Sequence, residues 1–164
     1  MILIIAVLVF TFPPVFPCKM TITNINWPER NSFQVTVNIL GIIRATEYHG
    51  GEINPEFAEK TGRSILYGQS RWKLNQLLNA VLQNNAEKDK SLVFGDDIKN
   101  IYLQIYDSRI SPNKSWKNYW SIYQNPSGAS ISDDGMIISP EVLNVTYWLL
   151  ENSPLKIQTL SPQQ

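Results

Sequence analysis

The stretch Ser32–Tyr48, SFQVTVNILGIIRATEY, decides the fold class of this chain. From Phe33 onward it alternates with a period of two. Phe33, Val35, Val37, Ile39, Ile43 and Ala45 take one side, and Gln34, Thr36, Asn38, Arg44 and Thr46 take the other. Successive side chains of a strand point to opposite faces, so this is the pattern of a sheet with one buried and one wetter face. β-branched residues dominate it, as a pleated and half-buried surface prefers. Gly41 falls in the middle, with Leu40 and Ile42 beside it on the otherwise polar side. A glycine there marks a bulge or bend within one long strand from Phe33 to Thr46.

Helices bracket the rest. In SRWKLNQLLNAVLQNN, residues Leu74, Leu77, Leu78, Val81 and Leu82 recur at helical spacing, so one apolar stripe from Arg71 to Asn84 is expected to cover the buried face of the sheet. Ser139-Pro140-Glu141 reads as cap, first position and first turn of a second helix that runs to about Glu151 and stops before Pro154. NPEFAEKTG reads as a third, short helix, with Asn54 as cap, Pro55 in the first turn and Gly62 at its end.

Strands are expected at Ser91–Phe94, Ile98–Tyr106, Trp116–Tyr123 and Met136–Ile138. Ile98–Tyr106 also fits a helical face, but its β-branched and aromatic content favours the strand. The fold class is therefore α+β: an antiparallel sheet of about four to six strands, with one long N-terminal strand, one long amphipathic helix and one C-terminal helix.

A length of 164 residues suits a single domain with a real core. Fourteen basic and 14 acidic residues cancel, so no global field steers the chain toward nucleic acid or a charged membrane. Residues 1–19 read as an apolar extension ahead of a domain at 20–164. Ile2–Phe12 is too short to span a bilayer, no Lys or Arg precedes it, and Pro13, Pro14 and Pro17 prevent its continuation as a regular helix. Met20 is the true start, or the extension is an atypical signal or anchor, or it is a packed structural segment. The cytoplasm is the expected compartment, with a secreted or membrane-anchored protein as the alternative if residues 1–19 are retained. Cys18 is the lone cysteine, which leaves the body without a disulfide or a thiolate zinc site.

Three regions bear on function. Trp116, Tyr119, Trp120 and Tyr123 crowd one strand; on it Trp116 and Trp120 share one face and Tyr119 and Tyr123 the other. One face belongs to the core, and the other is a candidate protein-partner surface, since Trp and Tyr concentrate at binding hot spots. Residues 57–75 hold Lys60, Arg63, Arg71, Trp72 and Lys73, a basic and aromatic cluster suited to phosphate contact and base stacking. The spacing Ala58–Gly62–Ser64 matches the first helix and turn of a helix-turn-helix, though Ile65–Gly68 makes that turn long. His49, the only histidine, lies near Glu47 and Glu52, and a catalytic role needs a further acid brought in by the fold. No phosphate-cradling loop, calcium loop or nucleophile elbow is present, and no cofactor or metal is expected. The expected function is a non-catalytic protein-binding or adaptor protein. Nucleic-acid binding through residues 57–75 is the first alternative, and a small enzyme using His49 is the second.

Overall fold

The structure is a computed structural model. It describes residues 13–24, 32–49, 53–84, 98–106, 116–124 and 139–156, and only the backbone at 24, 98–100, 116–118 and 120–124. Six antiparallel strands form one sheet among these residues: β1 (Cys18–Asn24), β2 (Ser32–Val37), β3 (Ile42–Tyr48), β4 (Ala58–Ile65), β5 (Ile98–Tyr106) and β6 (Trp116–Gln124). Their order across the sheet is β4-β3-β2-β1-β5-β6. Two helices, α1 (Gly68–Asn84) and α2 (Pro140–Glu151), pack on each other. The chain is therefore of the α+β class.

Alternation builds the core. Cys18, Met20 and Ile22 of β1, Phe33, Val35 and Val37 of β2, Ile43 and Ala45 of β3, and Ile101, Leu103 and Ile105 of β5 are all buried, with Tyr119 of β6. Leu74, Leu78 and Val81 of α1 and Val142, Val145 and Leu149 of α2 close the same cluster. Leu77 and Leu82 pack at its margin, so the apolar stripe of α1 is the expected one. Ser139 caps α2 as its sequence implies, its hydroxyl accepting from the Val142 N–H at 3.3 Å. Thr146, buried in α2, satisfies its hydroxyl on the Val142 carbonyl at 2.8 Å.

Three expectations are corrected. Ser32–Tyr48 is a hairpin, not one long strand. β2 ends at Val37, and β3 returns with Val37 opposite Ile43 and Val35 opposite Ala45. Asn38 to Gly41 form the turn: the Gly41 N–H donates to the Asn38 carbonyl at 2.9 Å, and Gly41 takes φ +70°. A tight turn ending on a left-handed glycine is a common three-residue hairpin connection. The apolar residues opposed here are all odd-numbered, so the alternation runs through the turn unbroken and resembles a single strand.

The second correction concerns residues 55–65. Asn54 does cap, accepting from the Glu56 N–H at 3.1 Å, but only over the single 3₁₀ turn Pro55–Phe57. Ala58–Ile65 then runs as the edge strand β4, so no helix-turn-helix exists in residues 57–75. Every side chain from Ala58 to Ile65 is exposed or half-exposed, and its charges are what an edge strand uses to discourage pairing with another chain.

Third, the fold takes in part of the N-terminal extension. Val15 and Cys18 are buried, and β1, which starts at Cys18, lies between β2 and β5. The Tyr106 N–H donates to the Pro17 carbonyl at 2.8 Å, and the Val15 N–H to the Ile39 carbonyl at 3.2 Å. Burial pushes the Cys18 thiol up to about 12, so it sits neutral in the core. The expected strands at Ser91–Phe94 and Met136–Ile138 lie outside the described residues.

A chain beginning at Met20 lacks the start of this central strand. It should lose its cooperative thermal transition, measured by circular dichroism against the full chain.

Candidate binding surface

Both ends and both faces of the sheet are set by the strand directions. The β2–β3 turn, the end of β4, the start of β1 and the end of β5 all fall at one end, with the N-terminus of α1. One side chain fastens this end. Arg71, in the first turn of α1 and only 5% exposed, donates from Nε to the Leu66 carbonyl at 2.7 Å and from Nη1 to the Pro13 carbonyl at 3.2 Å. Its Nη2 donates to the Leu40 carbonyl in the hairpin turn. Burial lowers the Arg71 pKa from its ordinary value, and Tyr67 acts in the opposite direction; a guanidinium nonetheless stays charged at any physiological pH.

One turn along the helix, Asn75 Nδ2 donates to the Pro14 carbonyl at 2.8 Å, and its Oδ1 accepts from the Phe16 N–H at 3.1 Å. Two polar residues at helical spacing thus anchor Pro13–Phe16, the hairpin turn and the β4–α1 connection to α1. Gly41 is required at this point. A Cβ there would lie 2.8 Å from the Arg71 guanidinium, besides occupying a φ of +70°.

Large apolar side chains surround this clamp and face solvent. Ile39 is 56% exposed and Leu40 64%, with Ile65 at the end of β4, Tyr67 in the connection and Trp72 beside Arg71. A set of this size gathered at one end is a mark of an interaction surface. Behind it, on the face away from the helices, lies a row of register positions: Arg63, Arg44, Thr36, Lys19 and Gln104 on β4, β3, β2, β1 and β5. Arg44 stands directly opposite Arg63, an arrangement of like charges that costs stability. No acid occupies this row. Among the described residues Lys19, Arg44 and Arg63 have no ion-pair partner, whereas Lys60 pairs with Glu47 at 3.3 Å. An open cleft of about 440 Å³ lies between row and tip, lined by Lys19, Thr36, Asn38, Ile42 and Arg44.

The residues singled out from sequence are divided by this geometry. Arg71 is structural, Lys60 is paired, Arg63 joins the cationic row, and Trp72 and Lys73 are exposed on the first turns of α1. They do not form one nucleic-acid face. Tyr119, 2% exposed and opposite Leu103, belongs to the core and is removed from the aromatic partner patch. Tyr123 has a register position on the same helix-covered side. Trp116 and Trp120 have register positions opposite Tyr106 and Tyr102, on the face away from the helices, with Trp116 at the hairpin end.

His49 does meet an acid from outside its own turn. Its Nδ1 lies 3.4 Å from Glu59 Oε1 on β4, but the two side chains are 67% and 45% exposed, at the opposite end of the sheet from the Arg71 clamp. Among the described residues no group of three His, Cys, Asp or Glu side chains is disposed to hold a metal ion. Neither Lys19 nor Arg44 is among the functional candidates of the sequence: Lys19 lies in the N-terminal extension, and Arg44 on the polar side of a stretch that reads as a single strand. Comparisons with family models, with curated proteins and with solved structures return no match to this chain.

Arg71→Met should lower stability by about 3 kcal/mol or more in chemical denaturation, because it strips a charged donor from three backbone carbonyls. Lys73→Met, on the same helix and exposed, should stay within about 0.5 kcal/mol. Two glycines separate backbone strain from steric clash. Gly41→Ala should cost roughly 2 kcal/mol or more, and Gly68→Ala, with φ +43° and nothing within 4 Å of its Cβ, only about 1 kcal/mol, read from the same unfolding curves.

Proposed function

We infer that this chain is a non-catalytic docking or adaptor protein that engages a macromolecular partner through the hairpin end of its sheet. The observation that carries this reading is the gathering of Ile39, Leu40, Ile65, Tyr67 and Trp72, all 44% exposed or more, around the Arg71 clamp. Buried hydrogen bonds hold the backbone beneath them, so their presentation is preorganised and little ordering cost falls on binding. Trp116 has its register position at the same end of the sheet. The lone Cys18, buried as a free thiol, fits a cytoplasmic setting.

The sequence alternative of nucleic-acid binding is supported in a changed form. Lys19, Arg44 and Arg63 make the unpaired basic row, in place of the set Lys60, Arg63, Arg71, Trp72 and Lys73. The enzyme alternative is supported only by the exposed His49–Glu59 pair, which has no third convergent group among the described residues.

A photo-crosslinking residue placed at Tyr67 or Trp72 in the native host checks the docking reading. Adducts are expected at these two positions and not at Phe57, which is 45% exposed at the other end of the sheet. Equal adduct yields at both ends would show that the hairpin end is ordinary surface.

A further inference from the structure

The hairpin end carries two tiers stacked in depth. Outermost are Ile39 and Leu40 in the turn, with Ile42 opposite Ile65 next to them. One same-face step further along the strands comes the line of cations, Arg63, Arg44 and Lys19. Two residues along an antiparallel strand advance about 7 Å. A bilayer surface presents the matching order, with its acyl boundary inside and its phosphates outside. Apolar groups that lie on such a surface enter it by about 5–10 Å. Tyr67 and Trp72, exposed beside the turn, are the residue types that sit at headgroup depth.

We propose that this end of the domain docks on the surface of an anionic phospholipid bilayer, with Ile39 and Leu40 in the interfacial region and Lys19, Arg44 and Arg63 at the phosphates. The proposal rests on the docking reading and names its partner. Two further observations favour a bilayer over other occupants. The described chain begins at this same end, at Pro13 in the grip of Arg71, and the residues preceding it, Ile2–Phe12, are uncharged and apolar but for Thr11. They are too few to span a membrane but long enough to lie in its surface. A protein interface surrounds its apolar centre with a polar rim, whereas here three cations are drawn up in one line across the face away from the helices, with Lys73 on the helix side. Along a nucleic acid, which the cations would contact, Ile39 and Leu40 would remain in water.

Sedimentation of the full chain with vesicles tests this, comparing phosphatidylcholine alone with a phosphatidylcholine–phosphatidylserine mixture. Three cations near the surface should favour the anionic vesicles by roughly a hundredfold at low salt, and Arg44→Gln should weaken that binding about fivefold. Leu40→Asp keeps the carbonyl that Arg71 holds. It should weaken binding to both vesicle types about tenfold or more, with thermal unfolding unchanged. Equal binding by parent and Leu40→Asp would overturn the proposal, since residues 1–12 would then hold the bilayer, or cover the patch, without the turn. Equal affinity for the two vesicle types would overturn it as well. So would binding of single-stranded RNA, lost in Arg44→Gln, by a chain that ignores vesicles. Protein adducts at Tyr67 without vesicle binding would overturn the lipid assignment and leave the docking reading standing; absence of both would end both.

Discussion

A single guanidinium holds together three separate segments of this chain, the most distant of them 58 residues away in sequence. Arg71 donates to backbone carbonyls at positions 13, 40 and 66, drawing the entry segment, the hairpin turn and the β4–α1 connection onto the first turn of α1. A buried cation is costly unless its donors are used, and the planar fork of arginine can serve three acceptors at once where lysine offers a point charge. The arrangement also explains Gly41. Only a residue without a Cβ lets the guanidinium lie against the turn, so helix and hairpin specify each other.

The sheet seated on this clamp is strongly two-sided. Its inner face carries the apolar core from β3 to β5, with Tyr119 of β6, and is closed by α1 and α2. On its outer face the cations Lys19, Arg44 and Arg63 stand in one row near the hairpin end, whereas Glu47, by register on the inner side, and Glu59 are engaged with Lys60 and His49 away from that end. A zero net charge therefore conceals a separation of charge along the strands. Bulk charge argues about long-range steering, whereas the local field that a partner meets depends on which positions share a face.

Much of this was legible from the residues alone. Period-two alternation located the residues of β2 and β3, though as one strand, and those of β5, and the aromatic run Trp116–Tyr123 reads as the strand that is β6. Helical spacing located α1, and Ser139-Pro140-Glu141 located the start of α2. Failures occurred where local pattern carries no information about partners. β4, reading AEKTGRSI, contains residues that strands usually avoid, and as an edge strand with no fully buried residue it has no apolar face to impose alternation. β1 alternates cleanly over Cys18, Met20 and Ile22, but the apolar run and prolines ahead of it made residues 1–19 look like something apart from the domain. The site was less legible still. Arg71 resembled one of four clustered cations, and only the tertiary fold shows it buried; the row of Lys19, Arg44 and Arg63 draws on three strands and has no sequence signature.

The parity of the β2–β3 hairpin has one more consequence. Paired positions such as Val37 and Ile43 are both odd, so sliding one strand past the other by two residues would keep every apolar side chain on the inner face. Hydrophobic patterning forbids a slip of one but is indifferent to a slip of two. What selects the observed pairing is the apex: the left-handed Gly41, the Asn38 side chain accepting from the Leu40 and Ile42 N–H groups at 3.0 Å each, and the hold of Arg71 on Leu40. Alignment of the sheet is thus enforced from its tip, by polar groups, while the core beneath supplies cohesion without choosing the register.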